Sequence, residues 1–131
     1  MSFLLDTCTF LWYVSASDKL AAEIVAELRK PDTDVFLSVV SVWEASVKCQ
    51  LGRLSLPEEP AAYCAAQRAR HAIAALPLGE AAVAHLDKLP MLHRDPFDRM
   101  LVCQAIEHGL SIVTPDPAIR AYPVRSQWRS D

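Results

Sequence analysis

Residues 94–114 read RDPFDRMLVCQAIEHGLSIVT, and this stretch decides the fold class. Asp95 stands directly before Pro96, a capping residue followed by the residue type favoured at the first helical position. Apolar residues crowd 100–106, and Gly109 follows His108, where helix ends favour a left-handed glycine. The spacing predicts a helix over Pro96–His108. Ser111–Thr114 then reads as a short strand, apolar enough to be covered on both faces. Short buried strands that alternate with helices belong to parallel sheets.

The rest of the chain repeats that alternation. Ser2–Leu5 reads as a buried strand closed by Asp6, and Thr7–Val14 as a short helix capped by Asp6 or Thr7. Ser17 predicts the cap of a helix over Asp18–Lys30, with Leu20, Ile24 and Leu28 recurring every fourth residue and Pro31 behind it. Val35–Val40 is β-branched and reads as a second strand. Ser41–Leu51 is predicted helical, with Gly52 past its end. Pro57–Pro60 predicts a turn, Ala61–Ala72 a helix, Ile73–Leu78 a short strand, and Glu80–Leu89 a helix stopped by Pro90. Pro117–Ala121 predicts a last helical turn, and Val124–Trp128 an edge strand or a tail. The expected architecture is an α/β domain over residues 1–131: a parallel sheet of about four to five short strands with helices on both faces.

Composition supports this and removes other classes. The chain has 131 residues, 52% hydrophobic and 22% charged, too apolar for a disordered chain and of one-domain length. With 3 glycines it is no fibrous protein. A net charge of −3 excludes a bulk basic surface, so a phosphate-bearing ligand needs a local patch or cations. The first half is acidic and the second rich in arginine: Arg68, Arg70, Arg94, Arg99, Arg120, Arg125 and Arg129. These read as solvated charges or, for a few, as phosphate grips. Met1–Phe3 carries no basic segment, and no apolar run approaches the ~20 residues that span a bilayer. A cytoplasmic protein without a membrane segment is expected. Cys8, Cys49, Cys64 and Cys103 never form a CxxC pair, which predicts buried reduced thiols and no zinc site.

In parallel sheets, ligands bind beyond the carboxyl ends of the strands. Asp6 ends the first strand, Glu44 lies in the first turn after the second, Asp116 follows the last, and Asp95 and Asp98 open the longest helix. Acids from distant segments thus converge on one sheet edge. Clustered, desolvated carboxylates disfavour their own charged forms and call for cations. Oxygen donors suit Mg²⁺ or Mn²⁺. Such ions lower the pKa of a water and stabilise a phosphoryl oxyanion, so the chemistry implied is phosphodiester hydrolysis by a metal-activated water. Each acid also has a structural reading. Asp95 and Asp116 precede prolines as helix caps. Asp98, at the third helical position, can reach back to the cap amide. Glu44 stands four residues before Lys48 as a helix ion pair. Asp6, closing an apolar strand, is the hardest to explain by structure alone. Of His71, His85, His93 and His108, none has a second ligand at metal spacing. His93 reads as a phosphate contact or a loop residue with no catalytic role.

The segments SFLLDTCTFLW, LSVVSVWEASVK with LGRLSLP, LHRDPFDRMLVCQA and LSIVTPDPAI together, in that order, resemble the PIN-domain family, most of all its VapC-type toxin ribonucleases. The resemblance spans nearly the whole chain and is weakest at residues 58–76. It implies a metal-dependent endoribonuclease, the toxin of a toxin–antitoxin pair, with RNA as substrate, a cognate antitoxin protein as partner, and a homodimer. It places the family's metal-binding and catalytic acids on Asp6, Glu44, Asp98 and Asp116, holding Mg²⁺ or Mn²⁺, with Asp95 as an extra acid or a cap. Thr7 and Thr114 match small hydroxyl positions beside the acids. They bond a carboxylate or a bound water, or cap helices. Arg94 or Arg99 would clamp neighbouring phosphates. Trp12, Tyr13 and Trp43 are candidates for partner contact or for the core. Three other readings stay open. A phosphoacceptor signalling domain shares the strand-end aspartates, but Thr7 and Cys8 follow Asp6 here and no lysine follows Lys88. The others are a non-catalytic interaction domain of the same fold and a structure-specific DNA nuclease, which the same chemistry allows.

Overall fold

A computed structural model describes residues 1–128, so Arg129 lies outside the described residues. The strands are β1 (Ser2–Leu5), β2 (Asp34–Ser38), β3 (Ala74–Leu76), β4 (Ser111–Val113) and β5 (Ser126–Gln127). They form one sheet in the order β3-β2-β1-β4-β5. Every pairing is parallel, with Leu4 beside both Phe36 and Ile112 at the centre. Val124–Trp128 thus supplies an edge strand, though only two residues long. The helices are α1 (Thr7–Val14), α2 (Ala22–Leu28), α3 (Val39–Gln50), α4 (Pro60–Arg70), α5 (Glu80–Val83), α6 (Pro96–His108) and α7 (Pro117–Arg120), with a 3₁₀ turn at Leu86–Lys88.

Side chains of β1 alternate between two cores, as the strand period requires. Phe3 and Leu5 face Phe10 and Tyr13 of α1, Ile24 and Leu28 of α2, and Cys64 of α4. Leu4, with Ile112, faces Leu101, Val102 and Ala105 of α6 and Ile119 of α7. Both faces of the sheet are therefore covered. No helix among the described residues is long and apolar enough to cross a membrane.

Several expected bounds shift for local reasons. The helix expected over Asp18–Lys30 spans only Ala22–Leu28, because the Ser17 hydroxyl closes a turn by accepting from Lys19 N at 3.2 Å. Leu20 stays buried with Ile24 and Leu28, so the apolar spacing reports the core and not the helix start. The Glu80–Leu89 helix breaks into α5 and the 3₁₀ turn, and Leu89 is extended ahead of Pro90. Helix α3 starts at Val39, ahead of the expected Ser41, because Ser38 caps it by accepting from Val40 N at 2.9 Å, which moves Glu44 into the second turn.

Three features set the site edge. Asp6 follows the central strand and its amide donates to Val113 O at 3.2 Å. The chain runs from β1 outward through β2 and β3, then returns to β4 and β5 on the other side of β1. The change of direction falls between β1 and β4, the crevice where parallel sheets bind ligands. Gln104 of α6, fully buried, accepts from Ser38 Oγ and donates to Pro77 O at 3.3 Å, tying that helix to the ends of β2 and β3.

Candidate metal centre

The acids arrive at that crevice on helix starts. Asp6 caps α1, its Oδ1 accepting from Thr9 N at 2.9 Å, and Asp116 caps α7 by accepting from Ala118 N at 2.9 Å. Asp95 caps α6, accepting from Phe97 N at 2.8 Å and from Asp98 N at 3.4 Å. Capping of this kind aligns each carboxylate with the positive end of a helix, which offsets part of its charge.

The acids are then cross-linked. Thr114 Oγ1 donates to Asp6 Oδ2 and accepts from Asp116 N at 3.1 Å, so one hydroxyl joins the strand ends of β1 and β4. Thr7 Oγ1 donates to Glu44 Oε1 at 2.6 Å and lies 2.9 Å from Ser41 Oγ. Both threonines therefore bond carboxylates. Glu44, only 3% exposed, has its other oxygen 2.6 Å from Lys48 Nζ, so the helix ion pair is present as well.

His93, which the sequence reads as a phosphate contact or a loop residue, instead meets two of the acids. Its Nε2 lies 3.0 Å from Asp98 Oδ2 and 3.0 Å from Asp116 Oδ2. Asp95 N donates to His93 Nδ1 at 3.2 Å, so Asp98 does not close a capping box on that amide. No sequence spacing could have exposed this contact, because Asp116 reaches it only through the folded sheet edge. Its position one residue before Arg94 in the loop entering α6 was the one available signal.

Among the described residues, ligand-capable atoms form two tight triplets, each with all three atoms within 4.8 Å of one another: His93, Asp98 and Asp116, and Glu44, Asp95 and Asp98. Asp98 belongs to both. Asp6 belongs to neither; its carboxylate accepts from Thr9, Thr114 and the Cys8 thiol. Its charge nonetheless acts on Asp98. Burial, then the charges of Asp95, Glu44 and Asp6, push the Asp98 carboxyl up to about 7, with His93 opposing. Burial also raises the Asp6 carboxyl, against the hydrogen bonds from Thr114, Thr9 and Cys8. Burial first, and Asp6 second, push the Cys8 thiol up to about 12, so it stays a donor to Asp6.

The surroundings bear on further expectations. Arg99 is half-buried and donates to Leu89 O at 3.4 Å, whereas Arg94 is exposed. Trp43 is 59% exposed and meets Phe97 edge-on at 4.7 Å, so it is no core residue; Tyr13 is, and Trp12 packs on Trp128. Cys64 and Cys103 are buried, but Cys8 and Cys49 are half-buried, and all four are free thiols.

No curated protein matches the chain by sequence. Solved structures match its fold. VapBC2 from Rickettsia felis, bound to a DNA fragment from its promoter, matches with a TM-score of 0.73 at 13% identity, covering 97% of this chain and 98% of that one. VapBC-1 from nontypeable Haemophilus influenzae gives 0.68 at 18% identity, and DNA-bound VapBC from Salmonella typhimurium 0.69 at 19%, each covering 97% of both chains. The PIN domain family model matches residues 3–124. With that match over nearly its whole length, and with a five-stranded parallel sheet gathering acids at its switch point, the chain belongs to the PIN domain family.

Proposed function

We propose that this chain is a metal-dependent endoribonuclease acting as the toxin of a toxin–antitoxin pair, with Asp6, Glu44, Asp98 and Asp116 holding Mg²⁺ or Mn²⁺. The observation that carries the reading is the meeting of Glu44, Asp95 and Asp116 at Asp98, whose own carboxyl is pushed up to about 7 by burial and by neighbouring acids. Its donors are mostly oxygens, which fits a hard divalent ion. Such an ion supplies an activated water and neutralises charge developing on a phosphoryl group.

The chain's own residues do the rest. Thr114 and the amide of Thr9 hold Asp6 still, and Thr7 and Lys48 hold Glu44. Arg94, exposed and next to Asp95 in the chain, would meet a neighbouring phosphate. Phosphodiester substrate fits a chain with net charge −3 only where cations bridge the two. The cytoplasm is the compartment that holds such a substrate.

An antitoxin partner is supported by the fold's likeness to toxin–antitoxin complexes and by large apolar side chains left exposed at Trp43, Leu51, Met91 and Leu92. A homodimer would cover part of the same surface, and light scattering after size exclusion reads its mass.

The deciding experiment incubates RNA and single-stranded DNA in parallel with wild type and Asp6→Asn, in Mg²⁺, Mn²⁺ or EDTA. RNA cleavage that needs the ion and falls about 10–100-fold in the variant is expected, on the scale of losing support for a metal site. Asparagine keeps an oxygen for Thr9 N, so circular dichroism should stay unchanged. Undiminished cleavage by folded Asp6→Asn, or cleavage of DNA alone, overturns the proposal.

A further inference from the structure

We propose that His93 is a positioning residue that clamps Asp98 to Asp116 as a hydrogen-bond donor, and that it is not a metal ligand; the metal-affinity part of this rests on the function proposed above. The two carboxylates come from different elements, the first turn of α6 and the cap of α7. His93 Nε2 stands 3.0 Å from one Oδ2 of each. The loop that carries His93 is itself anchored, since its backbone amide donates to Tyr122 Oη at 2.9 Å.

The direction of the second ring contact decides between ligand and donor. Asp95 N–H points at Nδ1, so Nδ1 is an acceptor with a lone pair. A neutral imidazole then carries its single proton on Nε2. An Nε2–H has no lone pair for a cation. Coordination through Nε2 would move the proton to Nδ1, against the amide hydrogen of Asp95. Metal-binding histidines have the opposite arrangement, donating from the far nitrogen to an acceptor. Here the ring hydrogen goes to Asp116 Oδ2, and the same nitrogen keeps Asp98 Oδ2 at 3.0 Å, between two carboxylates that repel each other. It holds them together and leaves their remaining oxygens for an ion. Residues that support ligating carboxylates in this way typically change metal affinity ~10–100-fold when removed.

Two measurements test this on the full chain. The first records two-bond proton–nitrogen correlations of the His93 ring, above the ordinary histidine titration range, in EDTA and with saturating Mg²⁺. The Nε2–H tautomer is expected in both. An Nδ1–H ring, a doubly protonated ring, or a coordinated Nε2 on adding Mg²⁺ overturns the inference. The second titrates Mn²⁺ calorimetrically into wild type, His93→Ala and His93→Gln. A ~10–100-fold loss of affinity in His93→Ala, with most of it recovered by the amide N–H of His93→Gln, is expected. Unchanged or tighter binding by folded His93→Ala overturns the clamp, and so does a glutamine no better than alanine. If His93→Ala fails to fold, the ring spectra and His93→Gln decide. If wild type takes up no Mn²⁺, the metal-dependent function fails, while the ring spectra in EDTA still decide the clamp.

Discussion

Thr114 Oγ1 donates to Asp6 Oδ2 at 2.5 Å although the two residues stand 108 positions apart in the chain. The same oxygen accepts the amide of Asp116, and Thr114 is fully buried. Thr114→Val keeps the shape but removes both partners' bonds, leaving a buried carboxylate and an amide short of hydrogen bonds. A loss of ~1–3 kcal/mol is expected. It should appear as a lower urea midpoint with unchanged slope. Thr114→Ser, which keeps the hydroxyl, should lose less; equal midpoints for the valine variant and wild type would show that the bond carries no stability.

The Asp98 carboxyl makes stability depend on pH with a definite sign. Its value rises from an ordinary 3.8 to about 7 on folding, mainly by burial and then by Asp95 and Glu44. Between those limits the folded chain binds more protons than the unfolded one, so this group's contribution is fully present below pH 3.8 and is lost as pH rises through about 7. In EDTA, the melting temperature of wild type minus that of Asp98→Asn should therefore fall across this window. Saturating Mn²⁺ binds the ionised form and should reverse the slope. A difference that rises with pH in EDTA would contradict the assigned environment of Asp98.

Much of the fold was legible because its signals are local. Asp95, Pro96 and Gly109 bracket α6, and both ends fall where the sequence places them. Strand β1 and helix α1 likewise match, since Asp6 ends the one and caps the other. The start of α2 was not legible, because a serine that closes a turn and a serine that caps a helix look alike in sequence. At the site, the strand-end rule placed Asp6 and Asp116 without any contact information. What each polar side chain bonds was not legible. Thr7 finds Glu44, Arg99 finds Leu89 O, and His93 finds two acids, because those partners are chosen by how helices seat on the sheet. Trp43 is another such case: an apolar residue on a helix gives no sign of facing solvent until its neighbours are known.

Gln104 is the polar residue on which that seating depends. It is fully buried among the apolar side chains of α6, bonded to Ser38 Oγ on one side and to Pro77 O on the other. Gln104→Leu fits the volume but leaves a buried hydroxyl and a carbonyl with lost partners, so a destabilisation of ~1–3 kcal/mol is expected despite the gain in hydrophobicity. Chemical denaturation reads it directly. A variant as stable as wild type would show that packing alone seats α6 against the strand ends.

Gly109 tests the backbone at the other end of the same helix. It ends α6 at φ 66 and ψ 35, the left-handed region, and its carbonyl accepts from Arg125 Nη2 at 2.8 Å. An added Cβ would meet only that Nη2, at 4.0 Å, so there is room for a side chain. The penalty of Gly109→Ala is therefore conformational, ~1–2 kcal/mol, and a steric clash adds nothing. Asparagine enters the left-handed region more readily, so Gly109→Asn should cost less than alanine. Thermal unfolding of the three proteins should rank glycine, asparagine, alanine; an alanine variant as stable as wild type would mean that α6 can end in another conformation without disturbing β4.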